Sequence, residues 1–181
     1  QNKIIRSPLE LMMCSNCNLV QLKHTVKKNY LYSKDYGYRS GTNLTMNSHL
    51  KNLVKDILNK VNIKNDDHVL DIGCNDGSQL DIFKSNKFKT FGVDPAKNIY
   101  KISSKKHKII CDFFTEKVIS KLPEKFDFII SQNSFAHNPN PFKFLDNAKK
   151  LMHDESILII QTSQADMCRN FEFDTIYHEH I

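Results

Sequence analysis

The last nine residues of the chain, FDTIYHEHI (173–181), concentrate side chains that can exchange protons. Tyr177 has a hydroxyl, Glu179 a carboxylate, and His180 an imidazole whose ordinary pKa lies near neutrality. General acid–base catalysis needs such groups, so we expect this segment to take part in catalysis, with a solvated polar turn as the alternative. His178 and His180 are also candidate metal ligands, but a metal site needs further ligands that the sequence does not identify.

A glycine-containing turn, VLDIGCNDGSQL (69–80), follows an apolar run that is typical of a buried strand. Asp71, Gly73 and Gly77 lie where an open parallel sheet binds its ligand, and glycine leaves room for a ligand across the turn. The spacing G-x-x-x-G differs from the dinucleotide pattern G-x-G-x-x-G, and a diphosphate would meet the carboxylate of Asp76. S-adenosylmethionine, which has no phosphate and carries a sulfonium cation, is therefore the expected cofactor.

The ends of the following strands carry further candidate ligands. Asp94 comes twenty-three residues after Asp71, where a carboxylate can accept hydrogen bonds from ribose hydroxyls of NAD or of S-adenosylmethionine. Asp112 and Phe113 follow the third strand, where they can bond to and stack on adenine; packing between helices is the equal alternative for Phe113. His137 lies in the loop after the fourth strand, as a candidate catalytic group or an incidental polar residue.

Cys14 and Cys17 form a C-x-x-C pair between short apolar runs that are compatible with the two strands of a knuckle. A structural zinc ion takes four ligands, so the pair is half of a site, and we expect the remaining ligands upstream of Gln1. The alternative is an incidental pair in a hairpin. A redox role is disfavoured because no helical pattern begins at Cys14 to lower the pKa of its thiol.

Hydrophobic periodicity predicts the elements that position these residues. Apolar residues at three- and four-residue spacing predict a helix over 45–62, capped near Asn43 or Thr45. Short apolar runs then alternate with helical stretches, a pattern that predicts an α/β fold with a doubly wound, mostly parallel sheet. The predicted strands are 68–73, 89–94, 107–111, 126–132 and 156–162, and the helices between them are 78–86, 96–105, 115–122 and 141–152.

The composition of the 181 residues narrows the class of protein. A hydrophobic content of 40% suits one sizeable core, and neither a membrane span nor a secretory signal is visible, so we expect a cytoplasmic protein. The net charge of +6 is dispersed in lysine pairs, which indicates a solvated surface rather than a nucleic-acid interface and is compatible with an anionic substrate. Five cysteines, an odd number, argue against a disulfide framework.

Several motifs in this order resemble the nucleotide-sugar C-methyltransferases of deoxysugar biosynthesis, which are class I S-adenosylmethionine-dependent enzymes. The likeness extends over nearly all of the chain and is carried by CSNCNLVQL, YGYRSGTNLTMNSHL, LDIGCNDGSQL, FGVDPA, AHNPNP and FDTIYHEH.

The resemblance implies methylation of carbon 3 of a thymidine-diphosphate 4-keto-deoxysugar. It implies a zinc domain with four cysteines at the N-terminus, here partly present in 1–45, a cofactor domain at 46–170, and a truncated substrate segment at 171–181. It further implies that Tyr177, Glu179, His180 and His137 lie beside the substrate. The aromatic and polar segment after Cys17 then supplies further substrate contacts, for which the candidates are Tyr36, Tyr38, Arg39 and His49.

The residue types agree with that chemistry. A carbon beside a ketone becomes nucleophilic only after it loses a proton, and His180 suits the role of base, with Glu179 or Tyr177 orienting it or stabilising the enolate. The enolate would then attack the sulfonium methyl group of the cofactor. An NAD-dependent oxidoreductase or epimerase and a non-catalytic module on a degenerate methyltransferase fold are the alternatives.

Overall fold

The computed structural model describes residues 6–32, 35–61 and 66–163, together with Asp166, Asn170 and His178. The strands are β1 (Leu11–Met13), β2 (Val20–Leu22), β3 (His68–Ile72), β4 (Lys89–Val93), β5 (Lys108–Ile110), β6 (Phe126–Gln132) and β7 (Met152–Gln161). The helices are α1 (Lys28–Leu31), α2 (Leu44–Lys60), α3 (Ser78–Ser85), α4 (Lys97–Ser103), α5 (Glu116–Ile119) and α6 (Pro141–Lys150), with 3₁₀ turns at Ser40–Thr42 and Phe135–His137.

A five-stranded sheet with the order β5-β4-β3-β6-β7 forms the centre of the structure. All of its pairings are parallel, so the carboxyl ends of the strands meet at one edge. From β3 the chain continues to β4 and β5 on one side and only later to β6 and β7 on the other, which creates a switch point beside β3. The predicted α/β fold with a doubly wound parallel sheet is confirmed.

The two faces of the sheet bury separate apolar clusters, because successive strand residues point to opposite sides. Leu70 lies in the cluster that includes residues of α5 and α6. Val69, its neighbour in sequence, lies in the cluster that includes residues of α2 and α3. Near-continuous apolar strands are typical of a sheet that is covered on both faces.

The long helix α2 begins where the sequence predicts. The side-chain oxygen of Asn43 accepts hydrogen bonds from the backbone N–H groups of Thr45 (2.8 Å) and Met46 (3.2 Å), and so caps the first turn. Leu50, Val54 and Ile57, at the predicted helical spacing, are its buried residues.

Several predicted boundaries differ from the structure. The helix predicted over 115–122 spans Glu116–Ile119, and the largest difference lies between the last helix and the last strand. The helix predicted to end at residue 152 ends at Lys150, and the last strand begins at Met152 rather than at residue 156. The added residues join the sheet through the pairing of Met152 with Phe126, next to a register irregularity. Ser156 Oγ donates to the Phe126 carbonyl oxygen (2.7 Å), and this side-chain contact supports the irregular stretch that local periodicity does not reveal.

The residues before α2 form a thin, polar region. Strands β1 and β2 pair as an antiparallel hairpin, as the knuckle interpretation expects, and all three residues of β1 are exposed. Leu22 is the only buried residue among those described before Leu50. Within the described ranges, none of the helices combines the length and the apolar character that a membrane span requires.

Candidate functional site

A cavity of about 530 Å³ opens at the carboxyl edge of the sheet, beside the switch point. Its wall combines the turns that follow β3, β4, β5 and β6 with the segment before α2 and the first half of α2. Eight residues selected from the sequence line it: Tyr36, Tyr38, Asp71, Gly73, Asp94, Asp112, Phe113 and His137.

The turn after β3 approaches the loop after β6 closely. Gly73 has a φ of +82°, and a Cβ atom there would come within 2.5 Å of the Ser134 Cβ. Ser134 Oγ in turn donates to the carbonyl oxygen of Ile72 (2.5 Å). Glycine is therefore required at position 73 by its backbone conformation and by a protein contact, as well as by its place on the cavity wall.

Asp94 fastens the turn after β3 to the turn after β4. One carboxylate oxygen accepts from the backbone N–H of Asn75 and the other from that of Ala96, both at 2.9 Å. The side chain still lines the cavity, so its remaining lone pairs can meet a ligand. Asp94 thus combines a structural role that the sequence did not reveal with the position expected of a ribose ligand.

The pKa values of both buried acids on this wall lie above their ordinary range. Burial raises the pKa of Asp71 to about 7, and the nearby negative charge of Asp94 adds to the rise. Burial also raises the pKa of Asp94, against the lowering effect of its hydrogen bonds from Ala96 and Asn75. A cationic ligand group would relieve this unfavourable accumulation of carboxylates.

The residues after β5 meet the N-terminal segment at the other end of the cavity. Asp112 accepts from the backbone N–H of Phe113 (2.8 Å). The Phe113 ring contacts Tyr32 edge-on at 5.8 Å between centroids, and Lys28 Nζ lies 5.0 Å from the ring centre. Phe113 therefore packs against the N-terminal segment and also lines the cavity, and its stacking on adenine stays a prediction.

His137 has a partner that the sequence analysis did not select. The hydroxyl of Tyr32 lies 2.9 Å from His137 Nδ1, and both side chains line the cavity. The two residues are 105 positions apart, so no local motif joins them. The only available signal was the tyrosine-rich character of the segment around Tyr32.

The segment 36–42, which we call the strap, lies against the turn after β3. Ser40 N–H donates to Asn75 Oδ1 (2.9 Å), Gly41 N–H donates to Asp76 Oδ2 (3.0 Å), and Asn75 Nδ2 donates to the Tyr38 carbonyl oxygen (3.2 Å). The turn after β3 and the strap that carries Tyr36 and Tyr38 are therefore connected by hydrogen bonds in both directions.

Three of the described cofactor and substrate candidates lie outside the cavity wall: Gly77, Arg39 and His49. Gly77 precedes α3 with a φ of +81°, and a Cβ atom there would come 2.9 Å from the His107 ring. Arg39 Nε lies 3.6 Å from Asp76 Oδ2. His49 Nε2 lies 3.0 Å from the Gln161 side-chain oxygen. Gly77 lies at the start of α3, and Arg39 connects the strap to the turn after β3. The ligand roles predicted for Gly77, Arg39 and His49 stay predictions.

The C-terminal candidates Tyr177, Glu179 and His180 lie outside the described residues. Their neighbour His178 is described, and its Nε2 donates to the Ser7 carbonyl oxygen (3.1 Å). The roles predicted for the three residues stay predictions.

Cys14 and Cys17 are free thiols at the turn between β1 and β2. Hydrogen bonds from the backbone of Cys17 and Asn16 and from the Cys17 side chain lower the pKa of Cys14. No helix begins at Cys14, as the sequence predicts, but the turn amides lower the pKa without one. Among the described residues, no group of three or more His, Cys, Asp or Glu side chains is arranged to hold a metal.

Gln79 is a cavity residue that the sequence analysis passed over. It is 5% exposed, lies in the second position of α3, and lines the cavity. Its Nε2 atom has no hydrogen-bond partner among the described residues, although buried amides are normally bonded. A ligand with a hydrogen-bond acceptor for the Gln79 amide would suit the cavity. A ligand with a cationic group would suit the wall formed by Asp71 and Asp94. S-adenosylmethionine has both features.

Comparisons with known proteins agree with this architecture. A family model described as a methyltransferase domain matches residues 46–181. The C-methyltransferase NovU of Streptomyces niveus is 25% identical over 179 residues, which cover 96% of this chain and 42% of that protein. The chain therefore spans less than half the length of this relative.

Two solved structures illustrate the likeness in fold. An S-adenosylmethionine-dependent methyltransferase from Archaeoglobus fulgidus aligns with a TM-score of 0.59 at 22% identity, covering 71% of this chain and 59% of that one. The plantazolicin methyltransferase BpumL in complex with S-adenosylhomocysteine aligns with a TM-score of 0.54 at 19% identity, covering 84% and 54%. At these identities the alignments carry the fold alone.

Proposed function

This chain belongs to the methyltransferase domain family, and we propose that it is the cofactor-binding part of an S-adenosylmethionine-dependent C-methyltransferase. The proposed acceptor is carbon 3 of a nucleotide-linked 4-keto-deoxysugar. The observation that carries the cofactor assignment is the acidic cavity wall, where Asp71 and Asp94 are buried next to a glycine turn. The likeness to NovU, a C-methyltransferase, supports transfer to carbon. The resemblance of the sequence motifs to the nucleotide-sugar enzymes supports the sugar acceptor.

The turn before α3 disfavours the NAD alternative. Asp76 Oδ1 accepts from Ser78 Oγ (2.7 Å) and lies 3.3 Å from the Ser78 backbone nitrogen, so a carboxylate already occupies the start of the helix. In dinucleotide-binding folds the pyrophosphate lies at this position and would meet a like charge here. A cofactor without phosphates avoids this repulsion.

Different residues of the cavity wall are proposed to bind different parts of the cofactor and the acceptor. When bound, S-adenosylmethionine supplies an electrophilic methyl group on a sulfonium centre. Asp94 offers its free lone pairs to the ribose hydroxyls, and Asp71 places negative charge beside the cationic end of the cofactor. Asp112 and Phe113 face the adenine. Tyr36 and Tyr38 of the strap line the cavity and contact the acceptor.

Proton removal is the remaining step on the acceptor. We propose His180 as the base that takes the proton from carbon 3, with Glu179 or Tyr177 orienting it or stabilising the enolate. His137 contacts the sugar from the loop after β6, and the Tyr32 hydroxyl holds its ring in one orientation. The enolate carbon that results is the nucleophile.

A zinc ion at Cys14 and Cys17 remains a separate proposal. The lowered pKa of Cys14 supports it, because the thiolate is the form that binds metal. We expect Zn²⁺ titration of a longer form of the protein to show stoichiometric binding that is lost on Cys14→Ser. Undiminished binding by that variant would remove these cysteines from the site.

The first experiment is calorimetric titration of the chain with S-adenosylhomocysteine and, separately, with NAD. Saturable binding of S-adenosylhomocysteine alone supports the proposed cofactor, and binding of NAD alone contradicts it. If a folded sample binds neither ligand, the degenerate-module alternative is favoured.

The acceptor is tested with a form of the protein that also includes regions corresponding to the parts of the relative outside the match. The unaltered protein should exchange the carbon-3 hydrogen of a nucleotide-linked 4-keto-deoxysugar with deuterium from solvent. His180→Asn should abolish this exchange and leave S-adenosylhomocysteine binding unchanged. Exchange at the original rate in that variant would exclude His180 as the base.

A further inference from the structure

Gln79 stands out from the other buried polar residues of the cavity wall because its side-chain amide nitrogen has no hydrogen-bond partner among the described residues. Asp94 and Asn75, on the same wall, are connected to backbone groups through their side chains. The Gln79 amide nitrogen is buried and has no partner in the part of the chain that the structure describes. A buried donor without a partner is unfavourable, and a ligand acceptor that reached it would remove that penalty.

The position of Gln79 determines which end of a ligand it can meet. Asp112 and Phe113 follow β5, at the edge of the sheet, whereas Gln79 belongs to α3, which follows the central strand β3. Met46 and Leu50 of α2 complete the wall near α3, since α2 packs against that helix. With adenosine at the β4–β5 side, as the proposed function requires, the amino-acid tail of the cofactor extends toward β3 and α3.

We propose that Gln79 binds the carboxylate of the amino-acid tail of S-adenosylmethionine by donating a hydrogen bond from its side-chain amide. This inference rests on the proposed function and adds a residue to the cofactor site. The two charges of the tail then have separate receptors, with Asp71 facing the ammonium group and Gln79 the carboxylate. The helix start cannot serve the carboxylate, because Asp76 already occupies it.

Two ligands separate this role from a general effect on the cavity. S-adenosylhomocysteine has the amino-acid tail, whereas 5′-methylthioadenosine lacks it and keeps the adenosine. We expect Gln79→Met, which removes the donor with little change in shape, to weaken S-adenosylhomocysteine roughly tenfold to hundredfold, the effect of one hydrogen bond to a charged group. The affinity for 5′-methylthioadenosine should change less than about twofold. Calorimetric titration measures both.

A second variant tests the charge of the bound group. Gln79→Glu places a carboxylate against the carboxylate of the tail, so it should weaken S-adenosylhomocysteine more than Gln79→Met does. Equal affinity for the two variants, or tighter binding by Gln79→Glu, would assign Gln79 to a different ligand group and overturn the inference.

The melting temperature without ligand separates a ligand-binding role of Gln79 from a structural one. Loss of a structural side chain would lower the melting temperature of Gln79→Met. Since the Gln79 donor is unpaired, Gln79→Met should leave the melting temperature unchanged or raise it. Gln21→Met, in the remote hairpin strand β2, is the matched control and should leave the affinities for both ligands unchanged.

The outcomes distinguish this inference from the proposed function. If the unaltered protein does not bind S-adenosylhomocysteine, the proposed function fails and the inference fails with it. If the unaltered protein binds both ligands and Gln79→Met weakens them equally or not at all, only the role of Gln79 is overturned. A lower melting temperature in Gln79→Met, with unchanged affinities, would show that the side chain is structural.

Discussion

The inner wall of the cavity and the N-terminal segment are held in place by different interactions. On the inner wall, Asp71 and Asp94 are 3% and 6% exposed and lie next to the apolar clusters of the sheet. In the described part of the N-terminal segment, Leu22 is buried and every other residue is at least partly exposed. The strap is attached to the turn after β3 by hydrogen bonds and an ion pair rather than by a core of its own.

This difference indicates that the two regions contribute unequally to stability and to recognition. Burial raises the pKa values of the acids on the inner wall, which suits a site for a cationic cofactor. The N-terminal segment depends on the inner wall for its position. Changes on the inner wall should therefore affect both regions, whereas changes at the strap should leave the inner wall intact.

The largest effect is expected for Asp94→Ala. The change removes the proposed ribose ligand and leaves the buried N–H groups of Asn75 and Ala96 without an acceptor, each at about 1–3 kcal/mol. We expect the S-adenosylhomocysteine affinity to fall at least about a hundredfold and the melting temperature to fall with it. Asp56→Ala, on the exposed face of α2, is the control. An affinity within about threefold of the original would contradict the assignment.

We expect pH to change the S-adenosylhomocysteine affinity about tenfold, because Asp71 changes its protonation state. Its pKa is raised from 3.8 to about 7 in the folded chain, so the folded state holds the proton more tightly and stability falls as pH rises from about 4 to about 7. A ligand ammonium group favours the carboxylate, so the S-adenosylhomocysteine affinity should rise about tenfold between pH 6 and pH 8.

Titration calorimetry across this pH range measures the effect and the proton release that accompanies it. Asp71→Asn, which cannot ionise, should bind more weakly and with a flat pH profile. The affinity for 5′-methylthioadenosine, which has no ammonium group, should be equally flat in the unaltered protein. A rise for that ligand would assign the titration to another group.

A smaller effect is expected when the strap loses its hydrogen bonds to the Asn75 side chain. Asn75 has a φ of +47°, so Asn75→Gly keeps a permitted backbone and removes the side-chain bonds to Ser40 and Tyr38. Hydrogen exchange at the Ser40 amide should accelerate about fivefold, with slow exchange in β3 and β4 unchanged. Lys87→Gly, at another positive φ, is the control and should not affect the strap. Faster exchange throughout the sheet would show that the two regions unfold together.

The smallest effect is expected for Tyr32→Phe, which removes the hydrogen bond to His137. A net loss of about 0.5–1.5 kcal/mol corresponds to a fall of a few degrees in the melting temperature. Tyr30→Phe, an exposed neighbour, should have no measurable effect. If both variants have the same melting temperature, the Tyr32–His137 contact does not stabilise the N-terminal segment.

The sequence by itself determined the features that depend on neighbouring residues along the chain. The alternation of apolar runs predicted the parallel sheet, and it placed Asp71, Asp94 and Asp112 at successive strand ends, where the cavity lies. The cap at Asn43 also followed from local chemistry. These predictions succeeded because periodicity and capping are set by residues a few positions apart.

Only the tertiary structure decided what depends on residues far apart in the chain. It showed that Gly73 lines the cavity while Gly77 packs against His107, and that Asp76 holds the strap. It also paired Tyr32 with His137 and left the Gln79 amide without a partner. The physical reason is that burial and side-chain hydrogen bonds depend on contacts between segments that are far apart in the chain. Patterns of neighbouring residues do not specify these contacts.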